Sequence, residues 1–244
     1  MVRLQPQIKE ELTMANRFAD MFVAGALKVP EKIYKKDTFK ASRLFSAPRN
    51  LNLEGYCTPV ENQGNLPYCA AYSASSFAEN ILWRKNHYHK DIDPFPLYQY
   101  AKTIDGDPHG AGTYLECTME ALLKKGYFDE NLCKVQQFGG VNTFGNGSAL
   151  DDIRYAIHRY GVCMAGFAIT TEWYKPKDNI IRGKGRYTSE GGHAVIICGY
   201  VEGMFRIMNS WGDEYADHGF VWITDEAAAE QFIYGTVMTH ALDD

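Results

Sequence analysis

Apolar side chains recur at helical spacing in three stretches of the chain. Residues 69–83 combine strong helix formers with apolar side chains, and Pro67 stands just ahead of them, where proline is compatible with a helix start. Residues 113–126 begin with the capping-box pattern Thr-x-x-Glu and stop at a glycine. Residues 148–161 form a third run that also ends at a glycine. We therefore predict three helices, of which the first is buried.

The later part of the chain is rich in β-branched and aromatic residues, which favour strands. Five such stretches are predicted to be strands: 162–169, 193–201, 204–208, 219–223 and 232–237. Helices that precede strands along a chain are typical of the α+β class. We therefore predict an α+β domain over residues 49–244, with a helical lobe at about 49–147, a β-rich lobe at about 148–244 and a cleft between them.

Residues 1–48 form a separate segment at the amino end. A lysine-rich stretch at 32–40 and the linker signal Ser46-Ala47-Pro48 lie in its second half. Four apolar residues recur at roughly helical spacing in its first half: Ile8, Leu12, Phe18 and Phe22. We predict a short amphipathic helix there. Three roles for the segment stay open: an inhibitory arm over the cleft, a structural arm packed on the back, or a disordered tail.

Composition and charge narrow the class of protein. Of the 244 residues, 45% are hydrophobic and 14% are aromatic, which is ample for a packed core. The net charge of -5 arises from interspersed charges of both signs, so we expect no nucleic-acid partner. No apolar run reaches the ~18 residues of a membrane helix, so we expect no membrane partner. Since the first residues lack the apolar core of a signal peptide, the compartment stays open between the cytoplasm and export by a route that the chain does not encode.

Three short motifs contain side chains that are common in catalytic sites. Cys69 follows the pair Gln63-Gly64, His193 lies in Gly-His-Ala-Val, and Asn209 opens Asn-Ser-Trp-Gly, which precedes the aromatic-rich stretch 219–223. A thiol, an imidazole and two side-chain amides can together provide a nucleophile, a proton carrier and a donor to an oxyanion. Each residue alone would be an ordinary core residue, but the set in this order favours catalysis.

The motifs resemble those of the papain family of cysteine peptidases, over about residues 57–223. Asn209 lies within the ~130–150 residues after the nucleophile that are typical of the family, and His193 falls slightly short of that window. The resemblance implies a papain-like two-lobe fold with a helical lobe, a β-barrel-like lobe and the active cleft between them, and it implies no cofactor. It implies Cys69 as the nucleophile, His193 as the acid and base, Asn209 as the residue that orients the imidazole, and Gln63 as an oxyanion donor.

This chemistry requires the thiol to ionise near neutral pH, whereas a free cysteine has a pKa of about 8.5. In the first turn of the predicted helix, Cys69 would lie at the positive end of the helix dipole. A protonated His193 would supply the larger effect by forming a thiolate–imidazolium pair, and would then donate its proton to the leaving amine. Trp211 would cover the contact between His193 and Asn209 and exclude water from it.

The resemblance also implies contacts with a substrate, for which Trp211 is one candidate. Gly112 and Thr113 correspond to a glycine-rich wall beside the substrate backbone, and Gly192 lines a neighbouring site. Ala165 and Ala194 are candidates for the floor of the specificity pocket, where small side chains leave room for a bulky apolar group. Ordinary strand packing of these two alanines is the alternative. We expect peptide or protein substrates and a monomeric protein.

Several features bear on rival interpretations. Secreted members of the family usually carry a disulfide cysteine where this chain has Leu66, so an oxidised framework is doubtful. The cysteines other than Cys69 are expected to be small buried residues: Cys57, Cys117, Cys133, Cys163 and Cys198. His87 and His89 lack a third ligand nearby, so we expect no metal. Two alternatives to a peptidase stay open, an acyltransferase or amidase with the same residues, and a catalytically silent module that holds peptides.

Overall fold

The computed structural model describes residues 46–87, 89–139 and 148–240. The helix and the lysine-rich stretch predicted within residues 1–48 lie outside the described residues. The α-helices, numbered along the chain, are α1 (Cys69–Asn86), α2 (Pro94–Ile104), α3 (Leu115–Lys124), α4 (Ser148–Tyr160) and α5 (Asp225–Gln231). The strands are β1 (Leu51–Asn52), β2 (Cys133–Gly139), β3 (Cys163–Thr170), β4 (Ile180–Ile181), β5 (Tyr187–Val201), β6 (Met204–Met208), β7 (Phe220–Thr224) and β8 (Phe232–His240).

The strands form one sheet in the order β2-β8-β3-β5-β6-β7-β4, with β1 paired to β5. All pairings are antiparallel except that of β4 with β7. Within the described part of the chain the path does not close, so the sheet is open. Helices α1, α2 and α3 pack together, and α1 also packs against β5. The α+β prediction is confirmed.

Helix α1 is buried because its side chains are small. Four alanines of its first three turns are at most 2% exposed: Ala70, Ala71, Ala74 and Ala78. Small side chains let neighbouring elements approach closely, and Phe77, at 1% exposure, fills the remaining space. The helix predicted for residues 69–83 is confirmed, and it extends to Asn86. It ends at His87, whose φ of 50° is the left-handed conformation that terminates many helices.

The capping box predicted at residues 113–116 is wrong. Helix α3 begins at Leu115, and no side chain caps its amino end. The Thr113 hydroxyl donates instead to a carboxylate oxygen of Asp105, 2.9 Å away. Glu116 is buried, and its carboxylate accepts from the Gln137 amide and from the Tyr234 hydroxyl. Both residues of the pattern therefore bond to partners outside the helix rather than to the helix end.

The five predicted strands are confirmed, four of them with shifted ends, and three further strands were missed. Strand β5 begins at Tyr187, six residues before the predicted start at His193, and β6 has the predicted bounds. The missed strands are β2, which pairs with β8 and precedes the predicted lobe boundary at about residue 147, and the two-residue strands β1 and β4.

A short antiparallel pairing joins the chain ahead of α1 to the turn that follows β6. The backbone N–H of Gln63 donates to the Ser210 carbonyl at 2.9 Å, and the N–H of Gly212 donates to the Glu61 carbonyl at 3.0 Å. Asn62 and Trp211 form the bridge between these two bonds. We refer to residues 61–63 and 210–212 as the interlobe ladder. It holds two of the predicted motifs together.

Candidate active site

The Cys69 thiol lies at the amino end of α1. Cys69 is the first residue of the helix, and Tyr68, which precedes it, provides no side-chain cap. The first N–H groups of a helix have no acceptor within the helix, so they remain available to an anion. The N–H groups of Cys69 and Ala70 reach the sulfur, as does the N–H of Ala194 in β5. The thiol is thus in contact with the residue that follows His193.

The surroundings of Cys69 act on its thiol in opposite directions. Burial raises the pKa of the thiol above its ordinary value, because a thiolate there would lose its water. The N–H groups of Ala194, Ala70 and Cys69 lower it, because each can donate to the anion. Burial is the larger effect, so these groups alone leave the sulfur protonated. A further positive charge is needed to ionise it near neutral pH.

The hydrogen bonds of Asn209 determine which nitrogen of His193 carries the proton. Asn209 Oδ1 lies 2.7 Å from Nε2 of His193 and 2.8 Å from the backbone nitrogen of Ser210. Since the Ser210 N–H can only donate, the shared Asn209 atom must be the oxygen. Nε2 of the neutral imidazole is therefore the protonated nitrogen, and Nδ1 is left free to accept a proton. This tautomer suits an imidazole that serves a thiol through Nδ1.

Trp211 covers the imidazole of His193. The two rings stack with centroids 4.7 Å apart and planes 24° apart, and Tyr174 stacks on the outer side of Trp211 at 5.5 Å. His193 is 5% exposed. This burial lowers the pKa of His193 to about 4, and the hydrogen bond to Asn209 acts in the opposite direction. Without a negative charge beside it, the ring is therefore neutral at neutral pH.

The side-chain amide of Gln63 is held at both ends. Its Oε1 accepts from the Ser210 hydroxyl at 2.6 Å, and its Nε2 donates to the Leu66 carbonyl at 2.9 Å. An amide nitrogen carries two hydrogens, so one is left over after the bond to Leu66. Ser210 was not predicted as a site residue, although it lies between Asn209 and Trp211. It contacts both predicted amides, one through its hydroxyl and one through its N–H.

Gly112 and Thr113 lie on the helical side of the site. A Cβ placed on Gly112 would lie 4.0 Å from the Pro67 carbonyl, so this loop runs beside the residues that lead into α1. The Gly112 carbonyl accepts from Lys102 Nζ at 3.0 Å. Thr113 is buried, and its hydroxyl is bonded to Asp105, so its side chain points into the helical lobe.

A stacked pair of tyrosine rings lies beside the same loop. Tyr68, next to Cys69, stacks on Tyr98 of α2 with centroids 3.8 Å apart. The Tyr98 hydroxyl lies 3.5 Å from the Gly112 carbonyl. These contacts link the segment ahead of the thiol to the Gly112 loop without a disulfide, in a chain that has Leu66 where secreted papain-like enzymes usually have a cysteine.

The strand register separates the two predicted floor alanines. Ala194 pairs with Gly166, whereas Ala165 pairs with Val195 and is fully buried. Since side chains alternate between the faces of a sheet, Ala165 points away from the face that carries Ala194. Gly166 takes its place there and pairs on its other side with Tyr234.

The remaining predicted residues fall as follows. Gly192 is partly exposed and pairs with Ala168 in β3. All six cysteines are free thiols. Of those other than Cys69, Cys57 is partly exposed and the rest are buried.

Within residues 46–87, 89–139 and 148–240, no three His, Cys, Asp or Glu side chains could hold a metal ion. In the same ranges no helix has the length and apolar character needed to span a membrane.

The shielding role of Trp211 gives a testable prediction for the Trp211→Ala variant. Because burial is the main reason that the His193 pKa is about 4, removing the indole should raise this pKa towards the ordinary ~6.5. The measurement is an NMR titration of the imidazole in a Cys69→Ala background, which removes the thiol. Tyr174→Ala, which removes only the outer ring, is the matched control and should change the pKa much less. An unchanged pKa in Trp211→Ala would contradict the role assigned to the indole.

Comparisons with known proteins identify the fold. No model of a known protein family matches the sequence, and no curated protein matches it. Solved structures do match it. Xylellain, a cysteine protease from Xylella fastidiosa, is 16% identical with a TM-score of 0.63 over 83% of this chain and 91% of its own. Procathepsin B from Trypanosoma congolense is 13% identical with a TM-score of 0.65 over 97% and 98%. Digestive procathepsin L 3 from the Tenebrio molitor larval midgut is 11% identical with a TM-score of 0.64 over 98% and 94%. This chain therefore has the fold of the papain-like cysteine proteases.

Proposed function

We propose that the protein is a cysteine endopeptidase that cleaves peptide bonds through a thioester on Cys69. The observation that carries this proposal is the position of His193, whose Nε2 is bonded to Asn209 while the N–H of the following residue, Ala194, contacts the Cys69 sulfur. Such an arrangement leaves Nδ1 of His193 as the proton acceptor on the side of the thiol. The papain-like fold of the chain supports the same reaction.

The reactive form of the site is a thiolate beside an imidazolium. Burial disfavours a single charge on either Cys69 or His193, since it raises the pKa of the thiol and lowers that of the imidazole. Transfer of the proton from sulfur to Nδ1 creates both charges at once. Their attraction in a water-poor site offsets the loss of hydration, and the N–H groups at the start of α1 favour the thiolate further.

The thiolate attacks the carbonyl carbon of the scissile peptide bond, and negative charge develops on the carbonyl oxygen. Two donors serve this oxygen, the backbone N–H of Cys69 and the free hydrogen on Nε2 of Gln63. His193 then donates its proton to the nitrogen of the leaving amine, and the C–N bond breaks to leave a thioester. Water, deprotonated by His193, hydrolyses the thioester and restores the thiol. Removal of one oxyanion donor costs ~10²–10³ in rate.

The substrates are peptides or proteins that lie across the seam between the helical and β-rich sides. Gly112 and Gly192 lie beside the substrate backbone. Trp211 lies beside the part of the substrate that follows the scissile bond, because it stacks on His193, which donates its proton to the leaving amine. Ala194 and Gly166 are small residues on the same face of the sheet, and the Tyr234 ring packs against Gly166, so an apolar substrate side chain at this place would contact Ala194 and that ring. The enzyme acts as a monomer without a cofactor.

Residues 1–48 act as an inhibitory extension in this proposal. Two of the similar structures are procathepsins, and the match covers 97–98% of this chain. A segment that crosses the cleft would keep substrates away from Cys69 until it is removed.

The Cys69→Ala variant tests the reaction directly. Without the nucleophile, hydrolysis of a peptide amide should fall below detection, and labelling by an epoxide thiol reagent should disappear from the site. Cys57→Ala is the matched control, since Cys57 is the other partly exposed cysteine, and it should retain both properties. Amide hydrolysis by purified Cys69→Ala at the wild-type rate would overturn the proposed function.

Deletion of residues 1–40 tests the inhibitory role of the extension. If the segment covers the cleft, the truncated protein should hydrolyse a small peptide amide at least several-fold faster than the full chain. A synthetic peptide of residues 1–40 should then inhibit the truncated protein in competition with substrate. Equal rates for the two proteins, with no effect of the added peptide, would contradict inhibition.

A further inference from the structure

We propose that Glu61 is a positioning residue for the Gln63 amide, and that it holds this amide in place only while its own carboxyl group is protonated. The inference rests on the proposed function, because Gln63 matters as a donor to the oxyanion. Glu61 acts through the interlobe ladder and through α1, and it does not touch the reacting atoms.

Glu61 connects the two elements that position the oxyanion donors. Its carbonyl accepts from the Gly212 N–H at one end of the interlobe ladder, and Gln63 closes the other end. Its side chain points the other way, into α1, where Glu61 Oε2 lies 3.0 Å from the Ser75 hydroxyl. Ser75 is fully buried and belongs to the helix whose first residue is Cys69. A movement of the Glu61 side chain is therefore transmitted to Gln63, two residues along the chain.

A count of hydrogens at Ser75 favours a protonated Glu61. The Ser75 hydroxyl lies within bonding distance of two acceptors, Glu61 Oε2 at 3.0 Å and the Tyr72 carbonyl at 2.8 Å. A hydroxyl has one hydrogen to donate and lone pairs with which to accept. When Glu61 is protonated, its O–H can donate to Ser75 while Ser75 donates to Tyr72, so both contacts are made. When Glu61 is ionised, the single Ser75 hydrogen must serve both oxygens.

A buried carboxyl group near the half-buried Glu61 adds to this preference. Glu79, 2% exposed, accepts from the Thr58 hydroxyl and from the Ile92 N–H at 2.8 Å, two bonds that suit a carboxylate. Burial raises the pKa of Glu61 to about 7, with the charge of Glu79 as the next contribution; Ser75 acts in the opposite direction when it donates to the carboxylate. The titratable groups that face the two carboxyls also include Tyr72, His89, Asp91 and Asp93.

Burial raises the pKa of Glu79 as well, and the bonds from Thr58 and Ile92 lower it, so Glu79 keeps a carboxylate through its donors. Ionisation of the half-buried Glu61 would place a second negative charge beside it. The repulsion is relieved when the Glu61 side chain moves away from α1 towards solvent, which displaces residues 61–63 and with them the Gln63 amide. The pKa of Glu61 is raised from 4.5 to about 7 in the folded protein. The favourable, protonated form of Glu61 is therefore fully populated at low pH and is lost as pH rises through about 7. Peptide hydrolysis should therefore weaken above that pH for a reason separate from the thiol and the imidazole.

The Glu61→Gln variant tests this inference, because its amide retains a donor for Ser75 and cannot ionise. The measurement is kcat for hydrolysis of a peptide amide as a function of pH, with the rate of Cys69 alkylation by iodoacetamide measured in parallel. Alkylation makes no oxyanion and does not need Gln63. The ratio of wild-type kcat to Glu61→Gln kcat should be near one at about pH 5.5 and should fall about tenfold by about pH 8.5. This is less than the ~10²–10³ that removal of an oxyanion donor costs, because the Gln63 amide is displaced and not removed. The alkylation profiles of the two proteins should coincide.

Glu202→Gln, in the exposed turn between β5 and β6, is the control and should follow the wild-type profile. In Cys69→Ala protein labelled with ¹³C at glutamate carboxyls, the assigned Glu61 resonance should titrate near 7, which checks the ionisation without any change at residue 61. Two results would overturn this inference and leave the proposed function intact. One is the same pH profile of hydrolysis in wild type and Glu61→Gln, and the other is a Glu61 carboxyl that titrates below about 5. Absence of hydrolysis at every pH overturns the proposed function and the inference with it.

Discussion

The interlobe ladder is the contact on which the geometry of the site depends. Its two backbone hydrogen bonds place Gln63 against Ser210, which lies between Asn209 and Trp211. The oxyanion donor, the residue that orients the imidazole and the ring that covers it are therefore positioned at one place. The sulfur reaches the same place from the other side, because α1 begins a few residues after Gln63 and packs against β5. Loss of this pairing would separate the proposed donors from the proposed nucleophile.

Exclusion of water has a common effect on three groups of the site. It disfavours a charge on the Cys69 thiol, on the His193 imidazole and on the Glu61 carboxyl when each is considered alone. A buried pair of opposite charges is different, because the same low dielectric strengthens their attraction. The proposed reaction follows this rule, since proton transfer from sulfur to imidazole makes the two charges together. Glu61 lies near other carboxyl groups, chiefly Glu79, so it is most compatible with the fold when neutral.

The sequence predicted best the features that depend on local pattern. The start of α1 at Cys69 and the bounds of β6 follow from residue type and spacing, and both were correct. The capping box at 113–116 failed because its two polar residues bond to Asp105, Gln137 and Tyr234, contacts that no local pattern reveals.

Register and buried polar contacts were also beyond the sequence. The face that carries Ala194 is completed by Gly166 rather than Ala165, a difference of one residue that only strand pairing decides. The contacts of Ser210 with Gln63 and of Glu61 with Ser75 depend on folding of the interlobe ladder. The roles of Ser210 and Glu61 could therefore not be recognised from the sequence.

The most direct test of the thiolate–imidazolium pair is the rate of Cys69 alkylation by iodoacetamide as a function of pH, in a Cys57→Ala background with and without His193→Ala. If the pair forms, the protein that retains His193 should react at a nearly constant rate from about pH 5 to about pH 8, because its thiolate persists there. Without His193 the rate should climb about tenfold per pH unit towards a thiol pKa of at least ~8.5. The same climbing profile in both proteins would show that His193 does not ionise the sulfur, and would contradict the account.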